Sequence, residues 1–188
     1  MLKGSTFLAR LAFLNNKFKE EERRLVFDQL PASDASLLQG KILPGSWYPR
    51  TIFNRFVETV DRVLGQGDYR LVRQMGYHAA DLQLTGAYAS FVRPGDPLFL
   101  LSRAGNAWSF FHDFGHLESS RDGDGRGVIH ISELGYADRV TVEGIIGWSC
   151  RGLELSGCHH IRFRYDPVPG CDDAFRIVIA WQLKPSDA

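Results

Sequence analysis

The chain has 188 residues, 44% hydrophobic and 23% charged, and its 22 basic side chains balance 22 acidic ones. That suits one soluble domain that buries its own core, and the lack of a field of one sign argues against nucleic acid or a membrane surface as partner. Cys150, Cys158 and Cys171 make no disulfide framework, so a reducing, cytoplasmic setting is expected; Arg10 interrupts the N-terminal apolar run, which reads as neither signal peptide nor membrane span.

Thr6 to Phe18 carries Phe7, Leu8, Leu11, Leu14 and Phe18 at helical spacing, with Ser5 or Thr6 as cap. A second helix, Glu20 to Leu30, opens on three glutamates, which suit the positive end of its dipole, and stops at Pro31. A short helical turn is expected over Asp34–Gln39, capped by Ser33 or Asp34. These first forty residues read as a helical extension, and residues 41–188 as the body of the domain. Arg50 to Leu64 is the clearest amphipathic helix, with Ile52, Phe53, Phe56, Val57, Val60, Val63 and Leu64 on one face. Gly65-Gln66-Gly67 breaks it, and Asp68 can cap a following helix from Leu71 to Leu82, in which Gly76, Ala79 and Ala80 permit close approach of a neighbour. A further helix is expected from Pro97 through Trp108 and Phe111 to about Gly115.

The remainder reads as strands around a helix. His116–Ser119 suits an edge strand and Val128–Ser132 its partner. Thr141 to Ser156 winds as a helix ended by Gly157; its Gly144 and Gly147 share a face and are expected to press the helix onto the sheet. Ile161–Tyr165 alternates apolar side chains with arginines, and Phe175–Trp181 is the most apolar run of the chain. The fold class is therefore α+β: an N-terminal helical half packed on a C-terminal antiparallel sheet of about four strands with a crossing helix.

The block Gly144…Gly147-Trp148…Leu153-Glu154-Leu155…Gly157 followed by two strands resembles the end of a vinyl-4-reductase domain. Trp47-Tyr48-Pro49, Gly65-Gln66-Gly67-Asp68, Ala87-Tyr88 and Trp108 resemble an uncharacterised bacterial family represented among myxobacterial paralogues. The resemblance implies a fold related to the haem-nitric-oxide-binding domain and to vesicle-tethering subunits, in sensory, ligand-binding or scaffolding modules that often dimerise. The chain departs from the cysteine pair that many vinyl-4-reductase domains place around the last hairpin, where only Cys171 stands. It departs also from the Tyr-x-Ser-x-Arg that the haem-binding branch carries after an axial histidine. Here Tyr88-Ala89-Ser90-Phe91-Val92-Arg93 puts the arginine one place late, and His112 follows the motif instead of preceding it.

Asp122 to Glu133 matches a calcium loop at its two aspartates, its glycine, its apolar position and its last glutamate, but Arg126 occupies a ligand position and the alternation favours a glycine-rich hairpin. His112 and His116 lie four apart, and Cys158, His159, His160 and Cys171 could add zinc ligands, yet ordinary surface and strand positions explain them more simply. No nucleophile elbow or phosphate loop is present. The expected function is a non-enzymatic bacterial regulatory or sensory module that binds a small apolar ligand or a protein partner, without cofactor or metal. The ligand would sit among Trp108, Phe111, His112, Trp148, Phe163 and Trp181. The alternative is a homodimeric scaffold without ligand; a zinc-, calcium- or haem-dependent sensor is the least favoured. A homodimer is expected in either main case, since one small sheet would leave the apolar faces of Arg50–Leu64 and Leu71–Leu82 uncovered.

Overall fold

The computed structural model describes residues 1–183. Its helical half holds α1 (Gly4–Lys17), α2 (Glu20–Asp28), α3 (Ala32–Gln39), α4 (Arg50–Leu64) and α5 (Arg70–Leu84), with two short strands, β1 (Leu2–Lys3) and β2 (Trp47–Tyr48), paired antiparallel. After a 3-10 turn at Ala89–Phe91 come α6 (Pro97–Ser102), α7 (Ala104–Phe111), β3 (His116–Arg121), β4 (Arg126–Ser132), α8 (Arg139–Leu155), β5 (Cys158–Pro167) and β6 (Phe175–Leu183). The four longer strands form one antiparallel sheet in the order β3-β4-β6-β5, which is the expected α+β architecture with His116–Arg121 at an edge.

Caps differ from the sequence expectation where a distant acid outcompetes a local one. The backbone N–H groups of Tyr69 and Leu71 donate to Asp61 of the preceding helix (2.8 and 3.2 Å), so α5 is capped across the turn, while Asp68 accepts only from Arg70. Neither Ser33 nor Asp34 caps α3; Asp34 is buried and accepts from Arg55. The expected helix from Pro97 to Gly115 is two helices offset at Arg103, and the second ends at Phe111. The second helix lies close on β3: a Cβ on Gly105 would fall 2.8 Å from the carbonyl oxygen of Leu117.

Two apolar cores result. One lies between the sheet and α8, built from Ile129, Ile131, Ile146, Leu153, Ile177 and Ile179. The other lies within the helical half, where Phe7, Leu14, Val26, Phe56, Val57, Val60, Val72 and Met75 pack together. The apolar faces of α4 and α5 are thus covered inside one chain and do not call for a second copy to cover them.

The two halves meet along α5 and α8, and glycines set the distance. A Cβ on Gly147 would fall 2.0 Å from the carbonyl oxygen of Arg73, and one on Gly76 would fall 2.2 Å from that of Gly144. Gly147 therefore presses α8 onto α5, not onto the sheet as its spacing had suggested. Gly144 is different: a Cβ there would meet only a guanidinium nitrogen of Arg10, at 3.5 Å. Polar side chains cross the same junction. Glu143, almost fully buried, accepts from Arg73 Nε and Nη2 (2.8 and 2.6 Å) and from the Tyr165 hydroxyl (3.0 Å). Asp138 caps α8 at Thr141 N (2.9 Å) and accepts from Arg50 and Asn54 of α4.

Candidate ligand-binding site

Between the two cores lies a cavity of about 90 Å³. The helical core contributes Leu2, Phe53 and Val140 to its wall, and the sheet core contributes Trp108, Leu117 and Ile129. The N-terminus closes one side, since Leu2 bridges to His112 at the end of α7. Polar groups enter from α1 (Thr6, Arg10) and α8 (Thr141, Ser149), with Gln83 and His112. Gln83 is engaged, accepting from the Trp148 indole N–H at 2.9 Å. Thr141 is engaged too, donating to Asp138 at 2.7 Å.

Of the residues expected to hold a ligand, Trp108, Phe111, His112 and Trp148 line this cavity. Phe163 and Trp181 do not. Phe163 lies under the Arg73 guanidinium at 4.3 Å, and Trp181 is buried on β6, its backbone N–H donating to the carbonyl of Gly125 at 2.7 Å. Both stand on the sheet, Phe163 on β5 and Trp181 on β6, off the cavity wall, which aromatic content alone does not reveal.

His112 packs flat against Trp108, with ring centroids 3.6 Å apart and planes inclined by 6°, and its Nδ1 lies 3.0 Å from the Trp108 carbonyl oxygen. A carbonyl can only accept, so Nδ1 carries the proton and Nε2 keeps its lone pair. Burial, with the positive charges of Arg10 and Arg50 nearby, pushes the imidazole pKa down to about 3, so the ring is neutral at physiological pH. The accessible surface it retains includes the cavity wall.

Arg10 was not anticipated as a site residue. It is 9% exposed, lies 5.6 Å from the Phe53 ring and lines the cavity. Burial pulls its pKa down to about 10 with no acidic neighbour to oppose the shift, which still leaves it charged at pH 7. A signal was present in the sequence, since Arg10 falls on the face of α1 that carries Phe7 and Leu14, where an apolar side chain is expected.

The other candidates separate. His116 is exposed beside Glu118 (3.1 Å), beyond Gly115 at φ +67°, so it shares no helix face with His112. Asp122 to Glu133 is a hairpin: Arg121 pairs with Gly127 and His116 with Ser132, and Arg126 occupies Asp122 as an ion pair at 3.0 Å. Among the described residues no three His, Cys, Asp or Glu side chains gather as a metal site. Burial raises the thiols of Cys150 and Cys158 to about 11, which keeps them protonated and poor as nucleophiles or ligands. Cys171 donates to Asp173 at 3.1 Å. Tyr88 packs on Phe110 and Phe111, and Arg93 lies over Phe99 at 3.7 Å, away from the cavity wall. No helix among the described residues is long and apolar enough to cross a membrane.

No protein-family model matches this chain, and no curated protein matches it. Solved structures do. The unliganded Fe(II) H-NOX protein from K. algicida superposes with a TM-score of 0.76 at 10% identity, over 98% of both chains. A mutant H-NOX protein from S. oneidensis in the Fe(II) ligation state gives 0.73 at 13% identity, also over 98% of both. A structure solved to study haem redox potential under porphyrin distortion gives 0.70 at 12% identity, over 95% of this chain and 99% of its own. At such identities the likeness establishes the fold, which is that of the H-NOX proteins. The expected kinship with the haem-nitric-oxide-binding fold is met at that level; no comparison supports vinyl-4-reductase or myxobacterial family membership.

Proposed function

We propose that this chain is a non-enzymatic sensory module whose ligand is a small molecule held in the interior cavity, and not a haem. The observation that carries the reading is the cavity itself: it lies where the two halves of the fold meet, so an occupant would touch α1, α7 and α8 together and bias their packing. The matched H-NOX structures contain iron, and one concerns haem and its porphyrin, which makes haem the first ligand to weigh.

One feature of this chain suits it, since the Nε2 lone pair of His112 is of the kind that ligates metal. The space does not. About 90 Å³ compares with roughly 300–1,000 Å³ for pockets that hold drug-sized ligands, and a porphyrin with its carboxylates is no smaller than such a ligand. Trp108, Phe111 and Trp148 occupy the wall, and Tyr88, Ser90 and Arg93, the nearest approach to a porphyrin-carboxylate motif, lie off the cavity. The residues present do not fit haem.

A lined cavity favours the sensory reading over a ligand-free scaffold, which calls for a filled core. Pairing of two copies, or docking of a protein partner, belongs to this reading as the means by which occupancy is reported. The three free thiols suit a reducing, cytoplasmic setting.

Two measurements test it. Xenon followed by ¹²⁹Xe NMR should show saturable binding with shifts at the Trp108 and Trp148 indoles, weakened in Ala107→Leu, which fills the wall. Titration with haemin should show no stoichiometric Soret species. Failure of xenon to bind, or a one-to-one haem complex ligated by His112, would overturn the proposal.

A further inference from the structure

The geometry points to a short monocarboxylate as the cavity's ligand, its carboxylate paired with the guanidinium of Arg10 and its alkyl body against Phe53, Trp108 and Trp148. The inference rests on the cavity being the ligand site.

Four other arginines that bridge elements of the fold are neutralised by a carboxylate. Arg50 pairs with Asp138, Arg73 with Glu143, Arg55 with Asp34 and Arg151 with Asp81. Arg10 is more buried than most of these, yet no carboxylate or carbonyl receives it among the described residues. The Phe53 face, 5.6 Å away, is near the limit of a cation–π contact and cannot replace an anion. No aspartate or glutamate lines the cavity, and His112 is neutral. One buried positive charge therefore lines the cavity with no acid beside it, an arrangement that costs stability unless a ligand supplies the anion.

The ligand's chemistry follows from charge, shape and size. A single unpaired cation balances a monoanion and not a dianion. The guanidinium fork matches the two oxygens of a carboxylate. Thr6, one helical turn before Arg10, and Ser149 on α8 also line the cavity and bring hydroxyl donors to it. The rest of the wall is largely apolar and suits an alkyl chain better than a second polar group. Cavities of about 150 Å³ take benzene, so about 90 Å³ admits an ion the size of acetate to butyrate. Gly144 keeps the guanidinium accessible, since a side chain there would grow into the space beside Arg10.

The test is calorimetric titration of the full chain with propionate, its neutral isostere propionamide and propylammonium, on the parent, Arg10→Met and Gly144→Val. Both variants are first checked for cooperative melting. Saturable propionate binding is expected in the parent, weaker by about tenfold or more for propionamide, and undetectable for propylammonium. Arg10→Met should lose the preference for propionate while melting no lower than the parent, and Gly144→Val should lose binding of both.

Equal binding of propionate and propionamide, or unchanged propionate affinity in Arg10→Met, would overturn the carboxylate inference and leave the cavity as the ligand site. Absence of any propionate binding overturns the inference as well, and the xenon measurement then decides the cavity: xenon bound keeps the sensory reading, xenon unbound removes both.

Discussion

At Arg10 the chain keeps a charge where α1 would be more stable with an apolar side chain. Replacing buried ionic groups with apolar ones of similar volume is neutral or stabilising by about 1–4 kcal/mol, so Arg10→Met is expected to raise the ligand-free stability, read by chemical denaturation. A loss of stability instead would mean that the guanidinium is already paired. Asp138 is the opposite case, a buried carboxylate that caps α8 and receives Arg50 and Asn54. Asp138→Ala leaves the part-buried Arg50 with only the Leu134 carbonyl and should cost about 3 kcal/mol; a cost near that of an exposed cap, about 1 kcal/mol, would contradict its role in joining α4 to α8. His112 adds a pH dependence. It takes its proton near pH 3 when folded and near pH 6.5 when unfolded, so between those values the unfolded chain holds more protons. The stability associated with the neutral ring is complete above about pH 6.5 and is lost as pH falls toward 3, a change on the order of a few kcal/mol. His112→Gln should flatten that slope in denaturation curves taken across the window, and an unchanged slope would show that other groups set it.

Among the elements, α8 shows how far a glycine pattern can be read. Gly144 and Gly147 both stand out in the sequence, and their shared face suggested one role pressed against the sheet. The structure gives them two, because α5 and not the sheet is the neighbour on that side. Gly147→Ala would drive a Cβ into the Arg73 carbonyl and should destabilise by about 1–3 kcal/mol or more. Gly144→Ala meets only ordinary contact beside Arg10 and should be neutral or gain up to about 1 kcal/mol from helix propensity. Thermal melts in which the two variants shift alike would show that α8 does not approach α5 as described. The β3–β4 hairpin makes the complementary point. A motif match of moderate strength, Asp122 to Glu133, gave way to strand alternation, and Arg126 turned out to be the ion-pair partner of the first aspartate.

For the whole molecule, what could be read in advance was whatever local periodicity determines. Arg50–Leu64 was placed to the residue, the last two strands were found with boundaries too short at both ends of β5 and at the C-terminal end of β6, and the α+β class followed from them. What could not be read depends on elements meeting in space. The capping of α5 by Asp61, the break between α6 and α7, the two-residue strands β1 and β2, and the covering of α4 and α5 by the rest of the helical half all belong there. The candidate site divides in the same way. Trp108, Phe111, His112 and Trp148, singled out for aromatic content gathered around one sheet, line the cavity, whereas Thr6 and Arg10 lie roughly a hundred residues away in sequence and reach the wall only through the packing of α1. The cavity between two cores is thus a property of the assembled halves, and the sensory reading stands or falls on its being occupied. Native mass spectrometry of the protein purified from its own host tests it most directly. The expected result is the chain carrying a small organic acid, released on unfolding and absent from Arg10→Met. Stoichiometric haem, or a chain that carries nothing under conditions gentle enough to retain such a ligand, would contradict it.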